Sequence, residues 1–344
     1  MRFSGLAVKR LSILRNFFCL LIGLTACPLH RFLWATETAG TYAGTFLLIP
    51  SGVRSMGMGD TGAALAYGSN AGVYNPAGLV RSNYADISFS QQTLLEDASL
   101  SFLGYAQPLD YSGLNELGGV TLFGVYRSVN LGKIDANILN PDGSLSQAKS
   151  VTAGQDSSIG IGYAEHFMRS NQGPFGEGMH SIGVMAQSVQ SKLVESYAAG
   201  AVAVNVGYLG SFERLSVGLS MANLGTKLKY GEVGDPLPVS LRAGLSAPYR
   251  VSDFFRVLAA YDLVYEERSA HHRAGVEAGL GQVCFLRGGW RFEQESYRGG
   301  PTFGFGLNLG RFFVDYAFGQ YGDLQTTHRF LLGFRFSHHP FHFH

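Results

Sequence analysis

The sequence predicts an all-β fold: a transmembrane antiparallel β-barrel of about fourteen strands with a glycine-rich plug at its N-terminus. Three observations lead there. Charged residues make up only 15% of the 344-residue chain, while glycine (46), tyrosine (17) and phenylalanine (25) are abundant. Period-two alternation recurs from Tyr84 to the C-terminal region, as strands with one apolar and one polar face require. The connections between these segments alternate between short and long, the arrangement of outer-membrane barrels with tight periplasmic turns and extended outer loops. A soluble sandwich would carry more Lys and Glu on its exposed faces. The net charge of +1, with no basic tract beyond the leader, argues against nucleic acid as a partner.

The leader reads as an export signal. Arg2, Lys9, Arg10 and Arg15 precede or border the apolar run Phe17–Leu24, which is too short to cross a bilayer as a helix. Two processing readings stand open. Leu24-Thr25-Ala26-Cys27 matches a lipoprotein box that would leave Cys27 lipidated, whereas cleavage after Ala35 would start the mature chain at Thr36. The chain then divides into a signal peptide (1–35), a plug (36–83), the barrel (84–336) and a His-rich tail (337–344). Cys284 lacks a partner, so no disulfide is expected, and it reads as a small packed hydrophobe.

The plug is the stretch from Gly52 to Ala66, closing on Asn75-Pro76-Ala77-Gly78-Leu79. Its glycines at 52, 57, 59 and 62 permit close backbone approach, and Met56, Met58, Leu65 and Leu79 give it something to bury. Asn75-Pro76 is a turn signal. Arg54-Ser55-Met56-Gly57-Met58-Gly59 followed by Tyr74-Asn75-Pro76-Ala77-Gly78-Leu79 resembles the opening signature of the PorV/PorQ family of outer-membrane proteins, which belongs with the FadL-type barrels. Asn223–Tyr230, Asp235-Pro236-Leu237-Pro238 and Tyr321-Gly322-Asp323-Leu324 with Thr327–Phe330 resemble later landmarks in the same order. The resemblance covers roughly Thr38 to Phe336.

The expected strands are Tyr84–Gln91, Ser99–Gln107, Gly119–Ser128, Ser157–Phe167, Ser181–Lys192, Ala199–Leu209, Leu215–Ala222, Val239–Ala247, Arg256–Glu266, His272–Leu280, Val283–Phe292, Thr302–Leu309, Phe312–Phe318 and His328–Phe336. Gly210–Arg214, Gly281-Gln282 and Gly310-Arg311 are the tight turns. Val129–Asp156, Asn223–Pro238, Glu293–Pro301 and Gly319–Thr327 are the long outer loops, and Pro108–Gly118 and Met168–His180 are long on the side expected to be periplasmic. The last strand resembles a barrel-insertion signal ending in Phe336, although Ser337–His344 follow it.

Inward positions are mostly small or neutral up to Ala222, with Arg127, Glu165 and His166 as exceptions. Beyond Val239 they carry Arg242, Asp262, Glu266, Arg273, Glu277, Arg287, Arg291, Asp315, Arg329 and Arg335. A meander puts these on one side of the lumen, so a charged wall should face a small-residue wall, with the glycine-rich plug against the latter. Mixed signs favour ion pairs holding plug to wall over a track for substrate. Trp290, Tyr261, Tyr265 and Tyr316 read as girdle residues at the lipid–water boundary.

Catalytic templates are absent: no Gly-x-Ser-x-Gly, His-Glu-x-x-His, P-loop or Cys-x-x-Cys occurs. Gly57-x-Gly59-x-x-Gly62 has dinucleotide-binding spacing without the βαβ unit that would give it meaning. His338, His339, His342 and His344 could ligate a metal only weakly from a tail, and His271-His272 read as exposed turn residues. No enzyme activity, cofactor or metal is expected. The family resemblance implies a role in type IX secretion, with outer loops docking the C-terminal domains of secreted cargo; Lys227, Lys229, Tyr230, Asp235 and Pro236 are the candidate contacts, unless they only shape the loop. The rival reading is a FadL-like transporter for hydrophobic small molecules, with Met56, Met58 and Leu65 lining the path and the Asn75-Pro76 turn helping the plug to shift. In both readings the barrel's partner is outer-membrane lipid.

Overall fold

A computed structural model describes residues 42–94, 97–109, 117–136, 149–171, 175–194, 197–293, 299–320 and 326–336. The leader with its two processing readings, the segment 321–325 and the His-rich tail lie outside the described residues. Eighteen strands follow in order: β1 (Asp86–Thr93), β2 (Ser99–Pro108), β3 (Thr121–Asn130), β4 (Lys133–Ala136), β5 (Lys149–Thr152), β6 (Gly154–Ser170), β7 (Gly178–Leu193), β8 (Tyr197–Phe212), β9 (Ser216–Gly225), β10 (Leu228–Tyr230), β11 (Val233–Asp235), β12 (Ser240–Arg250), β13 (Phe255–Glu266), β14 (Ser269–Leu280), β15 (Cys284–Phe292), β16 (Gly300–Leu309), β17 (Phe312–Gln320) and β18 (Thr326–Arg335).

Fourteen of these close into one antiparallel barrel in meander order, the seam being β1 against β18 from Asp86↔Arg335 to Gln92↔Arg329. The pairs β4–β5 and β10–β11 form small separate hairpins in the long outer connections. Closure leaves no sheet edge, which is what a strand structure needs in lipid. Alternation decides the faces. In β9, Ser216, Gly218 and Ser220 point into the barrel while Val217 and Leu219 point out, and in β16 Phe303 and Phe305 are exposed beside inward Thr302. The outer surface carries Ile161, 71% exposed, with Val184, Leu286, Phe303, Phe330 and Leu332. Such a belt fits hydrocarbon, and with the fold it places the chain in the bacterial outer membrane. No helix among the described residues is long and apolar enough to cross a membrane.

The strand expectations hold with shifts of a few residues at their ends, but the expected connection Met168–His180 is strand at both ends, Met168 to Ser170 pairing with His180 to Gly178. A second connection also differs. The outer turn between β13 and β14 is only Glu267-Arg268, both at positive φ (50° and 64°), as the tightest hairpins require. His271 and His272 therefore belong to β14 and are not exposed turn residues. His271 is buried against Glu293, and His272 meets Tyr261 on the outer face. Glu165 also departs from expectation: it shares an alternation phase with Tyr163, whose hydroxyl donates to it, and so lies on the face opposite inward Ala164.

Trp290 is exposed on the outer face, whereas Tyr261 is buried and bonds Nδ1 of His272. The same diagonal Tyr–His pair recurs as Tyr208–His180 and Tyr316–His328, satisfying hydroxyls that would otherwise face hydrocarbon. Cys284 is a free, half-exposed thiol on β15.

Residues 42–82 run inside the barrel as short helical turns, Thr45–Leu48, Val53–Gly57, Gly68–Asn70, Ala71–Tyr74 and Pro76–Arg81, and bond to strands all around the ring.

Candidate functional site

The lumen with its enclosed N-terminal segment is the candidate site. The glycine-rich stretch lies against the charged wall, not against the small-residue wall as its composition suggested. A Cβ on Gly57 would stand 3.0 Å from Cα of Gly304, and one on Gly289 would stand 2.1 Å from the Gly59 nitrogen. The reason is hydrogen bonding. Backbone brought this close exposes N–H groups that need acceptors, and the wall supplies them: Gly59 N–H donates to Oγ1 of Thr302 (2.8 Å), and Gly62 and Ala63 donate to the Asp262 carboxylate (2.7 and 2.9 Å). The later part, Pro76–Arg81, packs on β6, β7 and β8, the small-residue wall.

All ten lumen charges singled out from the sequence beyond Val239 reach inward. Arg54 of the N-terminal segment grips Glu277 in a two-pronged pair, Nε to Oε2 at 2.8 Å and Nη2 to Oε1 at 2.7 Å. Glu277 also accepts from Nε of Arg287 (2.7 Å), whose other end pairs with Asp315. Burial opposes the Arg54 charge, but Glu277 outweighs it and raises the guanidinium pKa above its ordinary value. Asp60, which the sequence reading did not single out, pairs with Arg273 and stands 3.6 Å from Arg242. Arg291 donates to the Gln320 carbonyl (2.7 Å), Arg329 to Gln92 and to the Gly52 carbonyl, and Arg335 lies over the Phe313 ring at 4.5 Å. The ion pairs tie segment to wall, as a structural network would.

Asn75 works as a clamp. Its Oδ1 caps the following turn by accepting from Ala77 N–H (3.1 Å), and its Nδ2 donates to the carbonyls of Ala63 (2.7 Å) and Tyr208 (2.9 Å). Pro76 sits at the first helical position, where its missing N–H costs nothing. Gly207 and Gly183 leave room for the pair, since a Cβ on either would meet Asn75 Oδ1 at 2.0 Å or the Pro76 carbonyl carbon at 2.4 Å. Gly78 approaches the Ala66 carbonyl in the same way, and Ala77 is fully buried.

Of the three residues expected to line a path, Leu65 borders one of the two cavities described below. Met56 is packed with Val53, Ala317 and Leu331, and Met58 with Leu65 and Ala260.

Two small cavities flank the segment. One, of about 50 Å³, opens among Arg54, Leu65, Tyr67, Asp86, Phe313 and Arg335, at the end where β1 starts and β18 finishes. The other, of about 20 Å³, lies toward the outer loops among Leu47, Ile49, Val73, Arg127, Asn223 and Arg242. Asn223, left-handed at φ 63°, belongs to a bulge where β9 slips against β8; its N–H donates to Asn205, and Gln187 donates to its side chain. Over this cavity the β10–β11 hairpin folds down. Leu228 and Leu237 are buried with Phe46 and Leu47, Ala43 N–H donates to the Pro236 carbonyl, and the Tyr230 hydroxyl meets Ser191, which meets Asp156. Lys227, Lys229, Asp235 and Pro236 stay exposed on the hairpin, and Tyr230 is half-buried.

Among the described residues no cluster of His, Cys, Asp or Glu is placed to hold a metal ion. The Gly57–Gly62 spacing serves contact with β14, β15 and β16 and belongs to no nucleotide fold.

No protein-family model matches the sequence, and no curated protein matches it. Solved structures do. The TodX monoaromatic hydrocarbon channel, in a deltaS2 mutant, matches with a TM-score of 0.53 at 12% identity, over 84% of this chain and 99% of that one. The CymD monoaromatic hydrocarbon channel matches with a TM-score of 0.52 at 13% identity, over 85% and 99% of the chains. The Pseudomonas putida toluene transporter TodX matches at 0.50 and 12%, over 83% and 97%. At these identities the shared property is the fold: the chain has the barrel architecture of these outer-membrane channels.

Proposed function

We propose that the protein is a FadL-like outer-membrane channel that admits small hydrophobic molecules, without catalytic chemistry of its own. The observation that carries this reading is the cavity below the outer hairpin, apolar on the side of the N-terminal segment and polar on the side of the barrel wall. Leu47, Ile49 and Val73 line one side and Arg127, Asn223 and Arg242 the other, under a cover whose inner side is Leu228 and Leu237. A water-filled porin would instead keep an open polar channel. The fold shared with the TodX and CymD monoaromatic hydrocarbon channels supports the same reading. The cargo-docking role implied by the family resemblance has no such support among the structures this chain is similar to.

The test is uptake of radiolabelled toluene at low concentration by Gram-negative cells that lack their own hydrocarbon channels and express this chain. Uptake faster than in vector controls, with no gain for a hydrophilic sugar, is the expected result. Equal toluene uptake in the two strains would overturn the reading.

A further inference from the structure

Among the described residues, Tyr74 is the one residue that lines both lumenal cavities. Its ring stands in a slot built for it. A Cβ on Gly62 would lie 2.2 Å from the ring and a Cβ on Gly52 would lie 2.8 Å from it, so both flanking positions accept only glycine. The Arg242 guanidinium lies over the ring at 5.3 Å, a favourable cation–π placement. The hydroxyl donates to Oδ1 of Asp60 (2.8 Å) and accepts from Gly52 N–H (3.2 Å). Burial, and then the Asp60 charge, push its pKa up, so it stays a neutral donor. Asp60 is in turn held by Arg273 and Arg242 on β14 and β12.

We propose that Tyr74 is the partition of a single path through the lumen, and that the width freed when its ring moves sets the largest solute that passes. This rests on the channel reading and adds to it the point of closure. The outer cavity sets Leu47, Ile49 and Val73 against Arg127, Asn223 and Arg242. The periplasmic one mixes Val53, Leu65 and Leu331 with Arg54, Asp86, Asp315 and Arg335. Both sides of the ring are thus part apolar and part polar, a lining for a compact solute with an apolar body and a polar edge. The ring is anchored to the barrel through Asp60, so displacing it means breaking the Asp60 bond while the rest of the segment stays clamped at Asn75 and Arg54.

The experiment is conductance in planar bilayers with potassium chloride, on full-length protein whose folding is checked by heat-modifiable mobility. Wild type is expected to be closed. Tyr74→Ala is expected to show discrete single-channel steps absent from wild type, and Tyr74→Phe, which keeps the ring in its slot, is expected to remain closed at rest. A folded Tyr74→Ala as silent as wild type overturns the proposal, and so does Tyr74→Phe conducting like Tyr74→Ala, because closure would then reside in the hydroxyl bonds. Should Tyr74→Ala not fold, Tyr74→Val replaces it with the same expected steps; failure of both to fold also overturns the proposal, making Tyr74 a core residue only. Salt conductance does not depend on the natural solute. Open steps in Tyr74→Ala without toluene uptake by wild type would therefore remove the hydrocarbon reading and leave the partition standing.

Discussion

At the scale of single residues, the lumen is held by two kinds of contact that ordinarily conflict: bare backbone pressed on backbone, and buried charge. The first depends on glycines of the wall. A Cβ on Gly218 would lie 1.9 Å from the Ala63 carbonyl oxygen, with no flexible side chain to yield. Gly218→Ala is therefore expected to destabilise the barrel by about 1–3 kcal/mol, the usual range for overpacking, read as a lower midpoint in urea unfolding from detergent micelles. The second depends on Glu277, which accepts from both Arg54 and Arg287. Glu277→Ala leaves two guanidinium groups short of their shared counter-charge, and a loss of roughly 3–5 kcal/mol is expected for such a broken buried pair. Glu277→Gln keeps the shape and should cost less. If the two variants unfold at the same urea concentration, charge is not what Glu277 contributes.

At the scale of elements, the fourteen strands were legible because each presents lipid on one side and a packed lumen on the other, and that contrast is written into alternate residues such as Phe303 and Gly304. The ten lumen charges beyond Val239 were legible for the same reason. The hairpins β4–β5 and β10–β11 were not, since strands of three or four residues in a loop show no sustained alternation. Nor was the wall against which the glycine-rich stretch would lie: its partners, Thr302 and Asp262, receive backbone N–H groups, and a backbone donor leaves no mark in the side-chain pattern. Tyr74 was visible only as the residue before Asn75-Pro76, and its slot is formed by glycines 12 and 22 positions away. The β10–β11 hairpin yields a prediction of its own. Leu228 anchors it, fully buried beside exposed Lys227 and Lys229. Wild type should resist trypsin at these lysines. Leu228→Ser should free the hairpin for cleavage there while heat-modifiable mobility of the barrel is retained. Equal resistance in both proteins would mean that the hairpin is held by Tyr230 and Pro236 without Leu228.

At the scale of the whole molecule, the governing feature is the inversion of a soluble protein. Apolar side chains cover the outside and charges are gathered within, and the two surfaces respond oppositely to the same substitution. Ile161, on β6 opposite Gly124 of β3 and Ala186 of β7, is far from either rim of the barrel. An arginine there must enter hydrocarbon. Phe254 is nearly as exposed, at 68%, but sits in the tight turn between β12 and β13, where a charged group reaches water and headgroups. Cost should follow depth: about 2–4 kcal/mol for Ile161→Arg near the midplane and about 0–1 kcal/mol for Phe254→Arg at the interface. Reversible folding into liposomes measures both. In a soluble barrel, an arginine at either exposed position would be nearly neutral, so equal small effects would remove the membrane placement, and with it the reason for the apolar belt. A large effect confined to Ile161 would show that the bilayer, and not packing within the sheet, makes the outer face apolar.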